Sequence, residues 1–127
     1  MQSDFRALDV WKKGQRIRTY IFELIKKFPA EEKFRLADQM IRASRSITAN
    51  IAEGYGRYHY QDNIRFCRQA RGSVYELLDH LEVASECAYI SQDEYMGVRK
   101  TAEEALALLN GYVKYLSNQK LLNKSTT

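Results

Sequence analysis

The sequence predicts an all-α protein, an up-down-up-down antiparallel four-helix bundle, on three observations. Apolar residues recur at three- and four-residue spacing through four long segments, no segment alternates apolar and polar residues long enough to argue a strand, and the single proline falls between two of the periodic segments. The connections between segments are short, which makes consecutive helices antiparallel neighbours. A chain of 127 residues that is 45% apolar can bury one core and is too short for two. The expected organisation is a single domain over residues 1–120, with 121–127 as a disordered tail.

The first helix is expected from Asp9, as N-cap, to Phe28, with Val10, Trp11, Ile17, Ile21, Leu24, Ile25 and Phe28 as its apolar stripe. Pro29 ends it, because the residue before a proline is steered away from helical dihedrals. The second helix is expected from Glu31 to Gly54, with Glu31 and Glu32 at the end where the helix dipole favours negative charge. Its inner side carries Leu36, Ala37, Met40, Ser44, Ile47, Ile51 and Tyr55, and its outer side Arg35, Asp38, Arg42, Ala49 and Glu53, with Arg45 at the margin. The third runs from Gln61 or Asp62 to Tyr89, facing inward with Cys67, Ala70, Val74, Leu77, Leu78, Leu81, Ser85 and Ala88. Gly72 within it costs about 1 kcal/mol of helix propensity relative to alanine, which suggests a close approach of a neighbouring helix there. Ser91 and Glu94 form a capping box that opens the fourth helix, whose stripe of Tyr95, Val98, Ala102, Ala105, Leu106, Leu109, Tyr112, Val113 and Leu116 carries it to about Gln119.

Several function classes find no support in the residues. No apolar run approaches the roughly 20 residues that cross a bilayer, and the N-terminus has no apolar stretch of the signal-peptide kind, so a soluble cytoplasmic protein with no membrane partner is expected. Cys67 and Cys87 stand 20 positions apart on one expected helix, about 30 Å at 1.5 Å per residue, so they cannot pair within a chain and read as small buried hydrophobes. His59 and His80 have no partners at metal-ligand spacing, and Asp79, Glu82 and Glu86 read as a solvated acidic face. There is no phosphate-binding glycine loop and no nucleophile elbow. No metal, no cofactor and no catalytic residue is expected, and the chain is read as a non-enzyme.

Charge is more informative. The net +4 divides into 15 Lys or Arg against 8 Asp or Glu over residues 1–71, and 5 against 8 over residues 72–127, that is +7 and −3. A basic half suits an anionic partner, although a basic and an acidic helix that attract one another would look the same. From Arg35 to Arg71 every cation is arginine: Arg35, Arg42, Arg45, Arg57, Arg65, Arg68 and Arg71, opposed only by Asp38, Glu53 and Asp62. Arginine suits bidentate contact with phosphate or carboxylate better than lysine does. The turn between the second and third helices adds Tyr55, Tyr58, His59 and Tyr60, of which Tyr58 and Tyr60 are candidates for stacking on unpaired bases. Lys12, Lys13, Arg16 and Lys27 make a second basic face on the first helix. The candidate nucleic-acid contacts are therefore Arg35, Arg42, Arg45, Arg57, Arg65, Arg68, Lys12 and Arg16. The alternative is an adaptor that uses the same arginines on an acidic protein surface.

Leu8-Asp9-Val10-Trp11, Phe28-Pro29 with Glu32, Gln39, Arg42-Ala43, Ser46-Ile47, Asn50-Ile51-Ala52-Glu53-Gly54 with Arg57, and then Ala70, Gly72-Ser73 and Glu76 resemble the four-helix-bundle family of proteins encoded in 23S ribosomal RNA intervening sequences, often labelled S23 ribosomal protein. The pattern spans residues 8–120. A related branch is the accessory variability determinant of diversity-generating retroelements, a basic pentameric bundle that binds nucleic acid and a reverse transcriptase. The resemblance implies a ring-shaped homopentamer, RNA or another nucleic acid as partner, and a nucleic-acid-binding protein as a further one. Five chains of +4 would carry +20. This sequence departs from the pattern at Ile41, where many relatives carry a second arginine before Arg42. Ser46, Asn50, Glu53, Gly54, Gly72 and Ser73 are expected to serve architecture or assembly, with Gly72 and Ser73 admitting the second helix, Ser46 and Asn50 bonding across that contact, and Glu53 pairing with Arg57 or with a neighbouring subunit.

Overall fold

The structure, a computed structural model, describes residues 4–126. Residues 1–3 of the expected domain and Thr127 of the expected tail lie outside the described residues. Four helices carry the fold: α1 (Asp9–Leu24), α2 (Leu36–Gly56), α3 (Tyr60–Glu86) and α4 (Gln92–Thr126), with no strand among the described residues. Each helix packs on its sequence neighbours and α1 closes against α4, so the four form an antiparallel square. Side-chain bonds fix the register. Ser73 Oγ donates to Ser46 Oγ at 2.9 Å across α2 and α3, Lys13 meets Glu104 at 3.4 Å across α1 and α4, and Asn63 Nδ2 donates to Tyr112 Oη at 3.2 Å across α3 and α4.

The apolar stripes meet in the middle of that square. Ile17, Ile21, Met40, Ile47, Ile51, Val74, Leu77, Leu81, Val98 and Leu109 are fully buried. Each such side chain contributes about 1.5–3 kcal/mol of transfer free energy, which is why the helical period predicts the bundle so directly.

The element ends differ from expectation for local reasons. Leu8, with extended dihedrals, is the N-cap of α1, and Asp9 is its first helical residue. Past Leu24 the helix tightens into a 3-10 turn over Ile25–Lys27 before Pro29. Beyond the proline a single 3-10 turn, Ala30–Glu32, uses up Glu31 and Glu32, and Arg35 (φ −119°, ψ −105°) interrupts the chain before α2 begins at Leu36. Glu32 still serves α2, because its carboxylate accepts from the Leu36 N–H at 3.4 Å.

α3 starts at Tyr60 and stops at Glu86. Ala88 takes the left-handed conformation (φ 60°), and the Tyr89 N–H reaches back to the Ala84 carbonyl at 3.0 Å, the Schellman arrangement that closes a helix. Ala88 is thus exposed, with Ala84 taking the inward position expected of it. The capping box of α4 is present, with Glu94 N–H donating to Ser91 Oγ at 3.1 Å and Ser91 N–H to Glu94 Oε1 at 2.8 Å. α4 continues through Thr126 where the sequence pattern ends it near Gln119, since no glycine or proline follows Gly111 to stop it. Cys67 is buried as expected, and burial pushes its thiol up to about 11. Cys87 is exposed, because α3 has already ended.

The close approach of α2 and α3 is real, but Gly72 does not make it. A Cβ on Gly72 would meet nothing within 4 Å, whereas one on Gly54 would lie 2.7 Å from Asn63 Oδ1, 2.9 Å from Phe66 Cβ and 3.1 Å from the Asn63 carbonyl oxygen. Ser46 bonds across to Ser73 as expected. Asn50 instead acts within α2, donating to the Ser46 carbonyl at 2.9 Å and to Ser46 Oγ at 3.0 Å, so that this hydroxyl accepts from both helices.

Candidate nucleic-acid interface

The arginine run does not form one patch. Arg35 and Arg57 bracket α2, about 33 Å apart at 1.5 Å per residue, and the arginines between them keep different company. Arg42 is exposed and paired with Asp38, Nε to Oδ2 at 2.9 Å. Arg45 is turned toward α1, where it lines a groove of about 210 Å³ with Arg18, Thr19, Phe22, Ile41 and Ser44. Ile41 supplies apolar wall to that groove.

Arg18 escapes notice in the sequence. Its guanidinium donates to Thr48 Oγ1 at 3.0 Å and lies 5.8 Å from the centre of the Trp11 ring, which holds it at the same groove. The spacing contains the signal, because Arg18 follows Trp11 by seven residues, about two turns, and so shares its side of α1.

The basic face of α1 looks the other way. Lys13 pairs with Glu104 and Lys27, in the turn that follows α1, with Glu94, so two of these four cations are spent on carboxylates of α4. Lys12 and Arg16 line a shallow groove with Asp9, Lys13 and Leu108 on the same α1–α4 side. The faces of α1 and α2 therefore do not merge through Lys12 and Arg16. Glu82, expected on a solvated acidic face, accepts from Tyr95 Oη and from Arg99 Nη1 of α4, the latter at 3.2 Å.

The arginines do converge at the α2–α3 turn. Gly54 brings Phe66 against α2, and the Arg57 and Arg65 guanidiniums lie 4.9 and 4.6 Å from the centre of that one ring. Arg57 also pairs with Glu53 at 3.0 Å and Arg65 with Asp62 at 3.6 Å. These are exposed pairs worth a few tenths of a kcal/mol to about 1 kcal/mol, so a phosphate can compete for the remaining guanidinium donors. Arg68 follows one turn along α3 and is exposed, with no ion pair among the described residues, as are Arg35 and Arg45. Arg71 lies 5.9 Å from the centre of the Tyr75 ring, away from this cluster.

Beside Arg57 the tyrosines divide. Tyr58 is 94% exposed and packs its ring only on His59, edge-on at 5.2 Å. Tyr60 is half-buried and packs on the core, so it closes the bundle end. Tyr112 and Tyr115 of α4 join them in a groove of about 290 Å³, a contribution that a pairing of α2 with α3 alone does not predict. Among the described residues no group of His, Cys, Asp and Glu could hold a metal ion, and no helix is long and apolar enough to cross a membrane.

A family model described as 23S rRNA-intervening sequence protein matches residues 6–111. The chain is also similar to the crystal structure of a protein of unknown function from the S23 ribosomal protein family of Bacteroides thetaiotaomicron. The two share 27% identity and a TM-score of 0.76 over 83% of this chain and 98% of that one. No curated protein matches the chain.

Proposed function

This chain belongs to the family of 23S rRNA-intervening sequence proteins, and on that premise we propose that it is a non-enzymatic, self-assembling cytoplasmic bundle that binds RNA, or an RNA–protein complex, through its arginines. The observation that carries the reading is the meeting of Arg57 and Arg65 on Phe66, beside exposed Tyr58 and one turn from Arg68. Guanidiniums held by an aromatic ring are positioned before a phosphate arrives, so less side-chain freedom is lost on binding. Arg45 and Arg35 lie outside this cluster, Arg45 in the α1–α2 groove and Arg35 at the far end of α2. Assembly into a ring, the pentamer that the family resemblance implies, would repeat this cluster and raise the local field. Kinship with the retroelement determinant is a narrower version of the same reading, in which a reverse transcriptase is the protein partner.

Filter binding to structured RNA tests the proposal. Replacing Arg57, Arg65 and Arg68 by alanine should weaken binding and flatten its salt dependence by about 0.7–0.9 for each phosphate left without its arginine, with helicity unchanged. Affinity unaltered by the triple replacement would refute it. A second reading, an adaptor for an acidic protein segment, is favoured by the α1–α2 groove, where Arg18 and Arg45 flank apolar Phe22 and Ile41. Light scattering tests assembly, and a monomer at tens of micromolar would contradict the ring.

A further inference from the structure

The groove at the α2–α3 end of the bundle is walled from three helices. Tyr55 and Arg57 come from the end of α2, Tyr58 and Tyr60 from the turn and the start of α3, and Tyr112 and Tyr115 from α4. The α4 wall begins directly after Gly111, where the family match ends.

Its lining suits a flat, partly polar ligand. Tyr112 and Tyr115 lie parallel, 8° apart with centroids separated by 6.3 Å, and Tyr115 remains 55% exposed. Tyr58 offers a second, almost bare ring. Tyr112 Oη accepts from Asn63 Nδ2 at 3.2 Å, which leaves the phenol's own proton to donate to a carbonyl or ring nitrogen. Arg57 also lines the groove, its guanidinium against the Phe66 ring and in an exposed pairing with Glu53 that a phosphate can displace. A volume of about 290 Å³ lies at the small end of ligand pockets, enough for one planar ring system and too short for the face of a helix.

We propose that this cup takes an unpaired nucleobase of single-stranded RNA, with the Tyr58 and Tyr115 rings stacking on it and Arg57 holding the adjoining phosphate. The inference rests on the RNA-binding reading above and adds to it a preference for unpaired over paired RNA. It also assigns a binding role to the segment after Gly111. Every base has a π-face, so the cup selects strandedness more than sequence.

The test compares an oligouridylate with an abasic ribose-phosphate oligomer of equal length, on the full chain and on Tyr58→Ala, Tyr115→Ala and their Phe counterparts. Removal of one stacking ring is expected to weaken oligouridylate binding about five- to hundredfold in either Ala variant. The Phe variants should bind as the parent does, and the abasic oligomer should bind the parent and all variants equally weakly. If oligouridylate binds and the Ala variants match the parent, the cup reading fails while the arginine reading stands. If neither oligomer nor structured RNA binds at low salt, both fail. If the Ala variants change the oligomeric state instead, the cup is a subunit contact and the proposal is overturned.

Discussion

Gly54→Ala and Gly72→Ala should move stability in opposite directions, although both place a methyl group in a helix. Alanine gains about 1 kcal/mol of helix propensity over glycine at either position. At Gly72 nothing opposes that gain, because the new Cβ meets no atom within 4 Å. At Gly54 the Cβ would sit 2.7–3.1 Å from Asn63 and Phe66, and two of those neighbours are the Asn63 carbonyl oxygen and the Phe66 Cβ, which cannot turn aside. Overpacking of this kind costs about 1–3 kcal/mol, so the Gly54 variant should lose up to about 2 kcal/mol net. The difference between the two variants should reach about 1–3 kcal/mol. Urea unfolding followed by helix circular dichroism at one fixed protein concentration measures it. α3 must also retreat in the Gly54 variant, which lengthens the Ser46–Ser73 bond and draws Phe66 away from Arg57. A Gly54→Ala protein as stable as Gly72→Ala would refute the assignment of the close approach.

Three further outcomes follow from local geometry. Ala88→Gly should stabilise the protein by about 0.5–1 kcal/mol, because a left-handed conformation (φ 60°) costs an L-residue about 1–2 kcal/mol and glycine only part of that in unfolded-state entropy; a lower unfolding midpoint would contradict it. Lys27 and the Ser91 N–H hold the Glu94 carboxyl below its ordinary value of 4.5. The folded value is the depressed one, so this contribution is present above about pH 4.5 and fades as pH falls through the folded value. Glu94→Gln should flatten the acid limb of the stability curve, and an unchanged limb would argue against the pairing. Cys87 should react with a thiol reagent at pH 8 while Cys67 should not, since burial holds the Cys67 thiol near 11; two equally reactive thiols in the folded protein would contradict the burial of Cys67.

Helical period makes the four helices and most of the core legible in the sequence, because Ile17, Ile47, Leu77 and Leu109 can be buried on one side only if their segments are helical. The capping box at Ser91 and Glu94 is legible for the same local reason. What the pattern does not contain is lateral position. Gly72 suggests the close contact because it breaks propensity in mid-helix, yet it faces outward. Gly54 suggests a terminator, although it follows Leu36 by eighteen residues, about five turns, and so lies on the same buried side. The arginines are legible as a composition and not as a surface, since composition does not say that Arg42 turns to Asp38 while Arg45 faces Arg18. The tyrosine cup is half legible. Tyr58 and Tyr60 are adjacent to the turn, but only the antiparallel return of α4 brings Tyr112 and Tyr115 to them, and in the sequence Tyr112 belongs simply to the apolar stripe.

Phosphate contact at the α2–α3 end is the central claim. The most direct measurement is the affinity of the full chain for single-stranded RNA by filter binding across a series of salt concentrations, run beside the Arg57→Ala, Arg65→Ala double variant. A straight fall of log affinity with log salt, shallower by about 1.4 in the double variant, is the predicted result. Absence of binding at the lowest salt, or parallel lines for the two proteins, would contradict it.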